Sequence, residues 1–413
     1  MGSFVTVFLY RWKFLLNRLC LKGFEDDPFA FVDIISIIGG IYYKSENVWK
    51  QRIWKIYRIF ASIHFLIPLL YSIENVLKDT DIVSLIWCGI VICVGLSICV
   101  NEIILRRSYK ALVKIRKFIN DKSNATSDPQ FDSSIRNVFS QISQIASLIV
   151  IAMIIVDEIL SPVVAMHEDR YFGLPRFLST SNSIAKGMTR FVYLIVFIPI
   201  WVSKVFNAAV EITALVVGCR SELKIFTKGF EEFLDDTREQ AETLPREVFW
   251  KCFKIKLRFQ IELHVSLVNT QRMVNELLSQ FFMVTYYRDV IVIGSMIFII
   301  LSEGFSAKSG VIVLSILTFF AECWWLSMLS EFFDDSTETL EELMDDLMVT
   351  IPYSKENHSD YQQLRTTLTV IKMNAHECTS VKYAGVFLIS IETFSQLVDI
   401  SYSVLTFLLN IGV

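Results

Sequence analysis

Apolar residues in this chain come in blocks of about twenty or more, separated by charged stretches. They follow neither the alternation of a half-buried strand nor the narrow stripe of a soluble helix. Seven blocks reach or approach the ~20 residues that an α-helix needs to cross a bilayer. They are Ile56–Val76, Ile82–Leu105, Val138–Val164, Met188–Val217, Gln280–Leu301, Gly310–Leu329 and Ala384–Ile411. The run Val5–Leu9 is too short to span, and Arg11, Lys13 and Arg18 follow it, the wrong order for a signal peptide. It reads as an amphipathic segment lying on the inner membrane surface.

Lys and Arg in the connecting segments set the expected orientation. Residues 1–55 and 106–132 are rich in both, whereas 77–81 and 302–309 hold only Lys78 and Lys308. The N-terminus is therefore expected in the cytoplasm and the C-terminus outside. The sequons at Asn124 and Asn357 then fall on inner loops and stay without sugar. Lys186 and Arg190 mark the outer boundary of the fourth span.

Polar positions show where helices outlast the bilayer. Lys204 and Glu211 lie in the fourth block, so its inner third is expected to project from the membrane. After Leu329, the acidic residues Asp334, Glu338, Glu342 and Asp346 recur every four positions, which aligns them on one helix face. Lys251, Lys254, Lys256 and Arg258 offer the opposite charge. The fold class expected is an all-α membrane protein of seven transmembrane helices, with helices extending into a cytoplasmic anchor module. The division is 1–55 cytoplasmic segment, 56–218 helices one to four, 219–279 linker and start of helix five, 280–330 helices five and six, 331–383 anchor helices, and 384–413 helix seven.

Composition agrees: of 413 residues 53% are hydrophobic and only 20% charged, below the quarter usual in soluble proteins. A net charge of −4 without a basic tract excludes nucleic acid as partner. The eight cysteines form no CxxC pair and read as small apolar residues. The five histidines have no metal-ligand spacing, and the chain has no Walker loop or GxSxG turn, so neither an enzyme nor a cofactor is expected. Asp157, Glu158, Arg288 and Asp289 interrupt apolar blocks, and Arg288 and Asp289 suit pairing with each other or across helices.

The C-terminal third, about 255–413, carries motifs that resemble the insect odorant receptors. These are Ile261-Glu262-Leu263-His264 running to Ser279-Gln280-Phe281, then Cys323-Trp324-Trp325 with Ser327, Leu329 and Ser330. The last are Ser390-Ile391-Glu392-Thr393-Phe394 and Ile400-Ser401-Tyr402-Ser403-Val404-Leu405-Thr406. The Thr-Tyr ending of gustatory receptors is not reproduced, and the segment between helices four and five is shorter than in the shared co-receptor. The likeness is to an odor-tuned subunit in the plasma membrane of olfactory sensory neurons.

That resemblance implies a heterotetrameric, odorant-gated, non-selective cation channel, formed with co-receptor subunits in the lipid bilayer, with a pore lined by helix seven. Phe407, Leu408, Asn410 and Ile411 are the gate-region candidates it suggests. It also implies a pocket for a small volatile in the outer half of helices two, three, four and six. Candidates there are Leu85, Trp87, Met153, Val156, Phe191, Tyr193, Phe197, Leu317 and Phe320. Three rivals remain. A gustatory-type channel for sugars requires more polar groups in the outer halves. A G-protein-coupled receptor requires an outward N-terminus. A secondary transporter predicts repeated halves, which the sequence does not show.

Overall fold

The computed structural model describes residues 28–411 apart from 43–46, 79–80, 123–125, 166–182, 306, 332–333, 354, 356–357, 380–381 and 384–386. The expected surface segment at 5–16 and both sequon asparagines lie outside the described residues. Among the described residues six helices are long and apolar enough to cross a membrane. In chain order the helices are α1 (Ala30–Ile38), α2 (Val48–Lys78), α3 (Ile82–Arg107), α4 (Tyr109–Asn120), α5 (Pro129–Ala165) and α6 (Ser183–Thr243). They continue with α7 (Arg246–Glu303), α8 (Ala307–Ser330), α9 (Asp334–Thr350), α10 (His358–Thr379) and α11 (Ile391–Ile411). The six apolar spans lie in α2, α3, α5, α6, α7 and α8. The last helix, α11, is 21 residues long, enough to cross, but carries a line of polar side chains.

Helices α6 and α7 form the axis of the fold, with 61 and 58 residues. Each greatly exceeds a bilayer's needs, so both run on beyond the membrane as the polar residues in their blocks imply. Helix α5 packs along α6, while α3, α8 and α11 pack on α7. Gly218 of α6 makes close approach possible, since a methyl group there meets Ile119 at 2.7 Å and Phe139 at 3.0 Å.

Buried ion pairs lock the spans where charge enters them. Arg116 of α4 donates to Glu211 of α6 and to Asp33 of α1, the latter at 2.7 Å. Burial disfavours the charge on Arg116, but the two carboxylates outweigh it and raise the pKa above that of a free guanidinium. Lys204 pairs with Glu102, and Arg136 with Glu222 at 2.9 Å. Lys204 and Glu211 thus bridge neighbouring helices.

The distal halves of α6 and α7 carry the same hydrophobic core onward, together with α9 and α10. Phe253 is the hub of this part, with ring centroids of Phe249, Phe233 and Trp250 at 5.6, 5.9 and 5.9 Å. Leu340, Met344, Leu347 and Leu368 cover this core from α9 and α10. Among the described residues the acidic side of α9 does not pair with Lys251–Arg258 as its charge suggested. Asp346 pairs with Arg238 and Asp345 with Lys372, whereas Lys254, Lys256 and Arg258 bind Asp360, Asp236 and Glu262. The physical reason is reach: α6 and α10 lie against α9, and α7 touches α10.

The final block also needs correction. Within it Phe387–Leu388 (β2) is a strand, paired antiparallel with Lys382–Tyr383 (β1) just before the block, and α11 starts only at Ile391. A short apolar run suits strand and helix equally, and here the caps decide. Thr393 donates its backbone N–H to the Ser390 carbonyl at 3.1 Å, and Ile391 N–H donates to Glu331 Oε1 at 3.1 Å.

Candidate ligand cavity and polar helix face

Two features stand out in the membrane half. The first is a cavity of about 530 Å³, within the range of small-molecule sites. Helix α5 supplies Ile145, Leu148, Ile149, Ala152, Met153, Val156 and Asp157, one face at three- and four-residue spacing. Helix α6 adds Trp201, Val202, Val205 and Phe206, and α8 adds Leu314, Ser315, Thr318 and Phe319. Val94 of α3 and Met296 of α7 complete the wall. Ile149, Val156 and Leu314 are exposed and form its mouth.

The lining is apolar with few polar groups. Ser315 and Thr318 donate their hydroxyls back to Val311 and Leu314 carbonyls at 3.1 and 3.0 Å. Asp157 is the one charged residue on the wall.

Met153 and Val156, both expected from the sequence, line this cavity. Phe197 stands behind it, 5.2 Å from Trp201 between ring centroids. Leu317 is exposed, and Phe320 turns away to meet Phe394 of α11 at 6.1 Å. Leu85 and Trp87 are half-buried on α3 and do not line the cavity. The side chains of Phe191 and Tyr193 lie outside the described residues. Sequence reasoning missed Thr318 and Phe319 by one position each, a turn of about 100° on a helix. For α5 a signal was available, because Ile145, Leu148, Ile149 and Ala152 continue the Met153–Val156 face toward the N-terminus.

Beneath the wall lies a buried ion cluster. Arg288 of α7 donates to Asp289 at 2.7 Å and to Glu322 of α8 at 2.5 Å. The pairing expected for Arg288 thus occurs both locally and across helices. Its guanidinium also lies 5.1 Å from the ring centre of Phe319, which lines the cavity.

The second feature is the outer face of α11. The helix packs on α7 and α8 through Thr393, Phe394, Leu397, Ser401, Val404, Leu405 and Leu408. The opposite face is exposed and bears Gln396, Asp399, Ser403, Thr406 and Asn410 at alternating spacings of three and four. The spacing of that stripe is legible in the sequence. Among the gate candidates, Phe407 and Asn410 are exposed and Leu408 is half-buried on the packing side. The side chain of Ile411 lies outside the described residues. Contact with α7 is close: a methyl group on Gly294 stands 2.7 Å from the Ser401 carbonyl and 2.9 Å from Val404 Cβ.

This many-helix bundle, with a lateral apolar cavity and a polar-faced last helix, has solved counterparts. The chain is similar to the insect olfactory receptor OR5 of Machilis hrabei in complex with eugenol, with TM-score 0.71 and 12% identity, over 92% of this chain and 98% of that one. To the same receptor in a second structure the TM-score is 0.72 at 13% identity, over 92% and 97%. This chain therefore has the insect olfactory-receptor fold. Searches of protein families and of curated proteins find no match.

Proposed function

We propose that the chain is an odor-tuned subunit of a ligand-gated cation channel, assembled as a tetramer with co-receptor subunits in the plasma membrane of olfactory sensory neurons. The observation that carries this reading is the polar stripe on α11. Five polar side chains line one exposed face of a helix long enough to span; Ser403 and Thr406 donate to carbonyls of their own helix, and exposing the Asp399 carboxylate to hydrocarbon is costly. Around a central axis the same stripe wets a pore, and four Asp399 carboxylates form a ring that attracts cations.

The ligand is a small, mainly apolar volatile in the α3–α5–α6–α7–α8 cavity, held by burial at ~25 cal/mol per Å². The olfactory receptor of similar fold binds eugenol, a molecule of that size and character. Gating is a population shift, in which the ligand favours the arrangement that moves α11 outward from the axis. Phe407, Leu408 and Ile411 form the apolar constriction near its end, with Asn410 beside them. The packed distal helices form the cytoplasmic anchor that holds subunits together.

The test is whole-cell recording from cells expressing this chain with and without a co-receptor, across a panel of volatiles. Ligand-evoked cation current is expected with the co-receptor, and Asp399→Asn lowers calcium permeability relative to sodium without moving the EC50. Absence of current in both conditions, with the protein at the cell surface, overturns the reading.

A further inference from the structure

Asp157 poses a problem that its surroundings do not solve. It is half-buried near the C-terminal end of α5, on the wall of a cavity otherwise formed by aliphatic, aromatic and hydroxyl side chains. Carboxylates inside apolar spans are normally paired, as Glu102, Glu211, Glu222 and Glu322 are here. Among the described residues no cation and no hydrogen-bond donor meets Asp157. The two wall hydroxyls donate to their own helix and do not turn to it. The wall thus offers a ligand one strong acceptor, Asp157, while the unpartnered Trp201 indole N–H is closed off from the cavity space.

We propose that Asp157 sets the chemical class of the ligand: an apolar skeleton with an N–H or O–H head, an alcohol or primary amine, whose donor hydrogen bonds to this carboxylate. This rests on the cavity being the ligand site. The skeleton packs against Met153, Val205 and Phe319, and the head points to the C-terminal end of α5. Acceptor-only heads such as ketones meet carboxylate oxygens with like polarity and lose the water those oxygens held. A hydrogen bond to a charged partner is among the stronger kinds, and removing it costs a donor-headed ligand about 10- to 100-fold in affinity.

The experiment titrates the purified protein in lipid nanodiscs with 1-octanol, octylamine, 2-octanone and octane, reading thermal stabilisation. It needs no channel activity. Variants are Asp157→Asn, which keeps shape, Asp157→Leu, and Ala152→Trp, which fills the cavity and reports partition into lipid alone. In the wild type, octanol and octylamine are expected to bind at least 10-fold more tightly than octanone and octane. Asp157→Leu removes that preference, while Asp157→Asn weakens octylamine more than octanol and gains for octanone, because an amide also donates. If Asp157→Leu does not fold, the Asp157→Asn pattern decides. Unchanged octanol and octylamine binding in the Asp157 variants, with loss in Ala152→Trp, overturns the proposal and leaves the cavity as ligand site. If no probe binds in a way Ala152→Trp abolishes, the cavity reading falls and the proposal with it.

Discussion

Replacing Gly294 with alanine adds one methyl group at the closest contact between α7 and α11. That group stands 2.7 Å from the Ser401 carbonyl oxygen and 2.9 Å from Val404 Cβ. Backbone oxygen cannot swing aside as a flexible side chain can, so the helices separate by roughly 0.7 Å to restore ordinary contact distance. Overpacking of this kind costs about 1–3 kcal/mol, which as a bias between two helix positions is about 5- to 150-fold. The push drives α11 toward its polar face, which under the proposed function is toward the pore axis. Maximal ligand-evoked current per receptor at the surface is expected to fall in Gly294→Ala and to vanish in Gly294→Val. Gly89→Ala is the matched control, because a methyl group there meets nothing within 4 Å. Helix propensity alone favours both alanines by about 1 kcal/mol, so the control isolates the contact. If Gly294→Ala and Gly89→Ala give equal currents and equal melting temperatures, the close contact does not exist in the membrane.

Arg288→Met strands Asp289 and Glu322 as two buried carboxylates without their cation, and a loss of about 3–5 kcal/mol is expected in detergent melting. The triple variant Arg288→Met, Asp289→Asn, Glu322→Gln recovers much of it if charge rather than packing is responsible. Phe253→Ala empties the hub of the distal aromatic core and costs about 3–5 kcal/mol, read as lower melting temperature and weaker subunit assembly on size exclusion. The exposed pair Arg258–Glu262 serves as its control, since Glu262→Ala is expected to shift stability by under about 1 kcal/mol.

Span positions were readable from the sequence because hydropathy integrates over twenty residues and tolerates errors at single positions. Helix phase was not readable in α8, where Leu317, Phe319 and Phe320 are all apolar. Lipid-facing and core-facing sides then have the same composition, so nothing ranks Phe319 above Phe320. The charged residues did carry phase and pairing information: the Arg288 pairing expected from cost alone was found. Helix α11 is amphipathic, so its two faces were written in the sequence at Gln396, Asp399, Ser403, Thr406 and Asn410. The strand pair before it was hidden because Phe387 and Leu388 suit a strand as well as a helix, and the Thr393–Ser390 cap and the contact with Glu331 fix where the helix begins.

Helix α7 is a single rod of 58 residues with no proline, about 87 Å long. Phe249 and Phe253 anchor one end, while Arg288, Gly294 and Met296 touch the ion cluster, α11 and the cavity near the other. Such a rod is a lever. A tilt of only about 2° at the anchored end sweeps the far tip by roughly 3 Å, close to the width of a methyl group. A change of packing among aromatic rings some 60 Å away would therefore alter the volume of the cavity. Substitutions in the distal core can retune which molecules fit without altering a single residue on the cavity wall.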